Sequence, residues 1–225
     1  MNKKMMLLGL AVISAALFAL PAVASAGSPQ VDLKSYPITF SGTGGHSELR
    51  AGENPPVTCT TSHVHGEWTS ATTGVLTVTF TGCKESIFGT QCNNTGVSGV
   101  IKTNTSVFHT TYLTSAKTTP GILVTPPTGG TFAEFKCPFV GSSVKVTGNG
   151  LLGHISEPKC GATSATATIG FTATGSTQTY RQVTGAGTIY SLQSSLNGGA
   201  PVAAAEVTSA KTTLAGGATA TLTCV

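Results

Sequence analysis

Side chains able to bind a divalent cation stand at alternate positions in the run Thr61-Ser62-His63-Val64-His65-Gly66-Glu67-Trp68. On a strand every second residue projects from the same face. His63, His65 and Glu67 would then offer two imidazoles and a carboxylate together, a donor set suited to zinc or a similar metal. The plainer reading of the same run is an exposed polar face of a strand, and it is the favoured one.

Other chemistry finds less support. The His-Val-His triplet is similar to one in the copper and zinc superoxide dismutases, but those enzymes need more clustered His and a ligating Asp. Here only His46, His109 and His154 remain, far apart in the chain, and Asp32 is the single Asp. That scarcity also weighs against a Ser-His-Asp relay, and no G-x-S-x-G elbow occurs. Glu134 and Glu157 could in principle serve as a glycosidase pair, although isolated Glu on strands more often forms a solvated face. No Gly-rich run follows a strand and opens a helix, so there is no phosphate cradle. The expectation is a non-enzymatic protein without catalytic residues or cofactor.

Cysteine is the remaining reactive residue. Six Cys in an exported chain read as three disulfides, and no C-x-x-C spacing supports a metal site. Six cysteines allow fifteen connectivities. Cys83 and Cys92 are the pair that spacing favours, because Cys83 ends a strong strand and the eight residues between them can turn back. Cys59, Cys137, Cys160 and Cys224 are left with their pairing open.

Export itself is read from the first residues. Lys3 and Lys4 precede an apolar stretch from Met5 to Leu20, then Pro21 and an A-x-A site at Ala24, Ser25 and Ala26. This predicts a cleavable signal peptide over 1–26, too short for a membrane anchor, and a single all-β domain over 27–225. A secreted protein, extracellular or held in the cell envelope, is expected.

Ten of the twelve Lys and Arg follow residue 26, against all eight Asp and Glu, and they are scattered singly. Such a chain has neither the basic stripe that nucleic acid requires nor a polybasic patch for lipid. Charged residues make up 9% of the sequence, far below the roughly 25% of ordinary soluble domains, so hydroxyls and backbone must carry solubility. A cell-surface glycan or protein remains as the class of partner. Trp68, Phe108, Tyr112, Tyr180 and Tyr190 could line a sugar-stacking strip, but core packing is the better reading.

The elements that must position all of these are strands. Leu76, Val78 and Phe80 alternate with Thr77, Thr79 and Thr81; Ala133, Phe135 and Cys137 share a face, as do Ala167, Ile169 and Phe171. Val144 with Val146, and Ala220 with Leu222 and Cys224, repeat the pattern. Turn residues at 42–45, 53–56, 126–130, 148–150 and 197–199 separate these runs. Only Ala200 to Ala210 has the composition of a helical turn. The predicted fold is all-β, a β-sandwich or barrel of antiparallel strands, disulfide-bonded.

Several of these runs also resemble a known family. Ser47 to Gly52 followed by Val57-Thr58-Cys59-Thr60, Gly74 through Thr79-Phe80-Thr81-Gly82-Cys83, Cys92, Gly130 to Cys137, and Gly170 to Gln178 resemble a family of secreted, β-rich actinobacterial proteins of unknown function. The resemblance covers roughly residues 38 to 195. It implies bacterial export and a β-rich fold, and it brings no active site.

Overall fold

The structure, a computed structural model, describes residues 27–138, 142–183 and 187–224. The expected signal peptide, residues 1–26, lies outside the described residues.

Strands are numbered in chain order. Eight of them follow one another round a closed antiparallel barrel: β2 (Ile38–Gly44), β5 (Thr61–Trp68), β6 (Thr73–Thr81), β9 (Ser106–Tyr112), β10 (Pro120–Thr125), β13 (Leu151–Glu157), β15 (Thr166–Phe171) and β19 (Val202–Leu214). Pairing of β19 with β2, from Ala210↔Gly44 to Leu214↔Phe40, closes the ring. The first half of β19 belongs to a second antiparallel sheet. There it lies between β3 (Ser47–Ala51) and β18 (Leu192–Leu196), with β4 (Asn54–Cys59) and β7 (Lys84–Glu85) beyond β3. On the other side β12 (Ser142–Gly148) and β11 (Thr131–Cys137) extend from β18. Smaller pieces complete the fold: β1 (Gln30–Asp32) and β14 (Thr163–Ser164) flank β20 (Ala220–Thr223), β8 (Ile101–Lys102) pairs with β6, and β16 (Ala173–Thr174) with β17 (Thr177–Gln178) makes a short hairpin. The all-β, disulfide-bonded architecture expected from the alternation is therefore present, in its barrel form.

β5 shows how that alternation works. Ser62, Val64 and Gly66 are buried, while Thr61, His63 and His65 are exposed. Cross-strand partners repeat the rule, since Val64 faces Val78 and Ser62 faces Phe80. Inward residues of the barrel and of the second sheet merge into one apolar core. A satellite cluster of Leu113, Leu123, Leu152 and Val183, with Tyr180 and Tyr190 against it, covers part of the barrel's outside.

Sequence expectations are corrected at several places: the turn runs 42–45 and 53–56 lie largely within β2 and β4, and two further corrections concern the Ala-rich run and the disulfides. The Ala-rich run 200–210 is not helical; most of it lies in β19, the longest strand. Ala favours helix only weakly, and here strands pair on both sides of the run and bury Ala204 and Ala205, at 2% and 0% exposure.

The second correction concerns the disulfides. Cys83 and Cys92 are not bonded to each other: the bridges are Cys59–Cys83, Cys92–Cys137 and Cys160–Cys224. Cys83 and Cys92 are indeed neighbours, opposite one another beyond the Lys84↔Gln91 bridge. However, adjacency does not decide the pairing, because each of the two also lies opposite another cysteine on its other side, Cys83 opposite Cys59 and Cys92 opposite Cys137. Each cysteine instead bonds outward. Cys59 lies one step past Thr58↔Lys84, and Cys137 one step past Asn93↔Lys136, with Cα–Cα distances of 3.9 Å and 4.2 Å. The bridges Lys84↔Gln91 and Asn93↔Lys136 thus link β7 back to β11, and the disulfides staple that row together.

Candidate binding cavity

The interior enclosed by the barrel and the second sheet is not completely filled. A cavity of about 200 Å³ lies there, walled mainly by apolar side chains from both sheets. Its presence accounts for an oddity of burial. Every residue of β15 is only half-buried, and so are Leu76, Val78 and Phe80 of β6, although these apolar side chains point inward. All of the inward ones line the cavity, and their remaining accessible surface is its wall. Eight strands make an interior that is either just filled by side chains or able to hold one small molecule.

Aromatic rings form one end of this wall. Phe40, Trp68 and Phe108 meet pairwise, with Trp68 and Phe108 edge to face at 4.7 Å and Phe40 and Phe108 at 5.9 Å. Glycine makes room for them: a Cβ on Gly66 would stand 2.4 Å from the Phe40 ring, and one on Gly74 would stand 2.4 Å from the Phe108 ring. Trp68 and Phe108 therefore pack inside, Tyr112 is buried, and Tyr180 and Tyr190 pack on the satellite cluster, rather than forming an exposed strip.

Hydroxyl side chains and one carboxyl interrupt the apolar wall, and three of these polar groups stand out. Ser47, Glu206 and Thr208 line the cavity, and Ser47 Oγ, Glu206 Oε1 and Thr208 Oγ1 are buried without a hydrogen-bond partner among the described residues. Strand geometry gathers them. Glu206 and Thr208 are two apart on β19 and share its inner face. The ladder between β19 and β3, which pairs Glu206 with Leu49 and Val207 with Glu48, sets Ser47 beside Thr208 when carried one step on. Directly opposed residues in such a ladder have Cβ atoms about 5 Å apart and diagonal ones about 7 to 8 Å. Burial pushes the Glu206 carboxyl well above the usual carboxylate range, and the nearby Glu48 adds to the shift. The site thus favours the protonated carboxyl, which has an O–H to donate and a carbonyl to accept. Leaving such groups unpaired costs about 1 to 3 kcal/mol each.

Comparison with family models, with curated proteins and with solved structures finds no match. The site must be argued from its own geometry.

His63, His65 and Glu67 lie elsewhere, on the outer face of β5. Their cross-strand neighbours are Thr43, Ser41 and Thr39 on β2, and Thr79, Thr77 and Val75 on β6. Neither strand supplies another ligand. Three residues at alternate positions span about 13 Å of strand, whereas a metal needs its donors converging within about 2 Å of one point. Among the described residues no group of three or more His, Cys, Asp or Glu is placed to hold a metal ion. Glu134 is exposed opposite Lys145 in the second sheet, and Glu157 is exposed at the end of β13 in the barrel. Asp32 accepts a hydrogen bond from Thr223 at the outlying small sheet.

Sequence reading missed two arrangements. Thr73 and His109 face each other across β6 and β9, with Thr73 Oγ1 3.2 Å from His109 Nδ1, on the outside of the barrel. Burial lowers the pKa of His109 and favours its neutral form. The other is Glu206. Its signal was present in the period of two, because the inward series Ala204, Ala210 and Leu214 also includes position 206, but the helical reading of the Ala-rich run concealed it.

Proposed function

We propose that the chain is exported by cleavage after Ala26 and works outside the cytoplasm as a non-enzymatic β-barrel with a structural or interaction role. The resemblance to secreted actinobacterial proteins supports this reading. The observation that carries it is the set of three disulfides, which use every cysteine and join residues 24, 45 and 64 positions apart. Such bonds persist in oxidising compartments and are rare where glutathione and thioredoxin keep thiols reduced. Among the described residues no helix is long and apolar enough to cross a membrane.

An interaction role is supported by the tip of the segment between Cys83 and Cys92. Ile87 and Phe88 are 65% and 62% exposed there, the most exposed large apolar side chains among the described residues. Yet the tip is held in place: the buried carboxylate of Glu85 accepts hydrogen bonds from the backbone N–H groups of Ile87 and Phe88. The partner proposed is a protein or glycan at a cell surface.

The test is expression of the full chain in a bacterium, with fractionation and N-terminal sequencing. Protein recovered outside the cytoplasm should begin at Gly27. Intact, uncleaved chain retained inside the cell contradicts export, and hydrolysis of any substrate in a polysaccharide or peptide panel overturns the non-enzymatic reading.

A further inference from the structure

We propose that the barrel interior is a binding site for one small neutral molecule, with a hydrocarbon body of roughly six to ten non-hydrogen atoms and a single hydroxyl or carbonyl head seated against Glu206, Ser47 and Thr208. This deepens the interaction role proposed above, and it can fail while that reading stands, since a barrel may be exported and bind partners by its surface alone.

Size and lining set the body of the ligand. An apolar cavity of about 150 Å³ suffices for benzene, so the space of about 200 Å³ here admits a slightly larger molecule. Its walls are mostly apolar, and the Phe40, Trp68 and Phe108 rings among them offer dispersion contacts.

The head is set by the three oxygens that have no partner among the described residues. They lie on adjacent strands at the point where β19 passes from the second sheet into the barrel. Together they offer an acid O–H, a carbonyl and two hydroxyls, a set that both donates to and accepts from an alcohol or carbonyl. A cationic head fits less well. It would have to be stripped of water and would need Glu206 ionised in an enclosure that disfavours charge.

Trp68, the chain's only tryptophan, lines the cavity and reports on its contents. The disulfide-intact protein would be titrated with 1-hexanol, hexane and hexylamine while Trp68 fluorescence is followed. Saturable changes are expected with 1-hexanol and with hexane. Glu206→Leu should weaken 1-hexanol by about tenfold, the size of one buried hydrogen bond, and leave hexane unweakened. Glu206→Gln, close in shape and able to donate and accept, should keep 1-hexanol binding within about threefold and serves as the control that the pocket is still folded. No saturable response to either 1-hexanol or hexane overturns the proposal. So does equal 1-hexanol affinity in Glu206→Leu, or tighter binding of hexylamine than of 1-hexanol.

Discussion

Glu206 is the side chain whose chemistry differs most from that of its surroundings. An acid whose folded-state pKa lies above its unfolded value holds its proton in the native chain after the denatured chain has released it. The sign follows directly. Stability from this group is fully present below the ordinary carboxylate value, about 4.3, and falls as pH rises toward the raised folded value, by about 1.4 kcal/mol per pH unit. Glu206→Gln carries no such proton. Urea denaturation at about pH 4 and about pH 7 should therefore show the wild type losing stability relative to the variant as pH rises. A gap that stays constant, or that moves in favour of the wild type, would mean that this carboxyl is solvated or paired.

At the scale of elements, closure of the barrel depends on the contact between β2 and β19. The run Gly42-Thr43-Gly44-Gly45 has the composition of a turn, yet Gly42, Thr43 and Gly44 are strand and only the chain beyond them turns. These glycines are needed for close approach rather than for bending. A Cβ on Gly42 would stand 2.5 Å from the Lys211 carbonyl oxygen and one on Gly44 would stand 2.4 Å from that of Ser209, whereas one on Gly45 would meet nothing within 4 Å. Gly42→Ala should accordingly cost about 1 to 3 kcal/mol, while Gly45→Ala should stay within about 0.5 kcal/mol of wild type in the same denaturation assay. Equal effects would show that the seam is looser than drawn.

This contrast also explains what could be read in advance. Alternation in Gly74 to Gly82, Thr131 to Cys137 and Ala165 to Ala173 marks strands because each keeps one apolar face, and local pattern is enough. Whether a glycine turns the chain or admits a neighbouring backbone depends on which strand lies alongside. That information is not local. The same holds for Ala200 to Ala210, where pairing on both edges overrode a weak helical preference, and for Glu206, whose importance rests on what encloses it.

For the molecule as a whole, the disulfides decide how the chain is held. A Cys83–Cys92 bond would have closed only a short loop, whereas the observed bridges close loops of 24, 45 and 64 residues. On the chain-entropy model such bonds each stabilise by about 3.4 to 4.3 kcal/mol, more than a short local loop would give. With so few charges in the sequence, this cross-linking is a principal source of durability. The candidate site belongs to this scale too, because the cavity exists only where the barrel and the second sheet, which share β19, face a common interior.

Peptide mapping under non-reducing conditions, on protein recovered from outside the cytoplasm, tests the cross-linked barrel most directly. Linked peptides containing Cys59 with Cys83, Cys92 with Cys137 and Cys160 with Cys224 are predicted, with no free thiol. A Cys83–Cys92 peptide, or six free thiols, would contradict it.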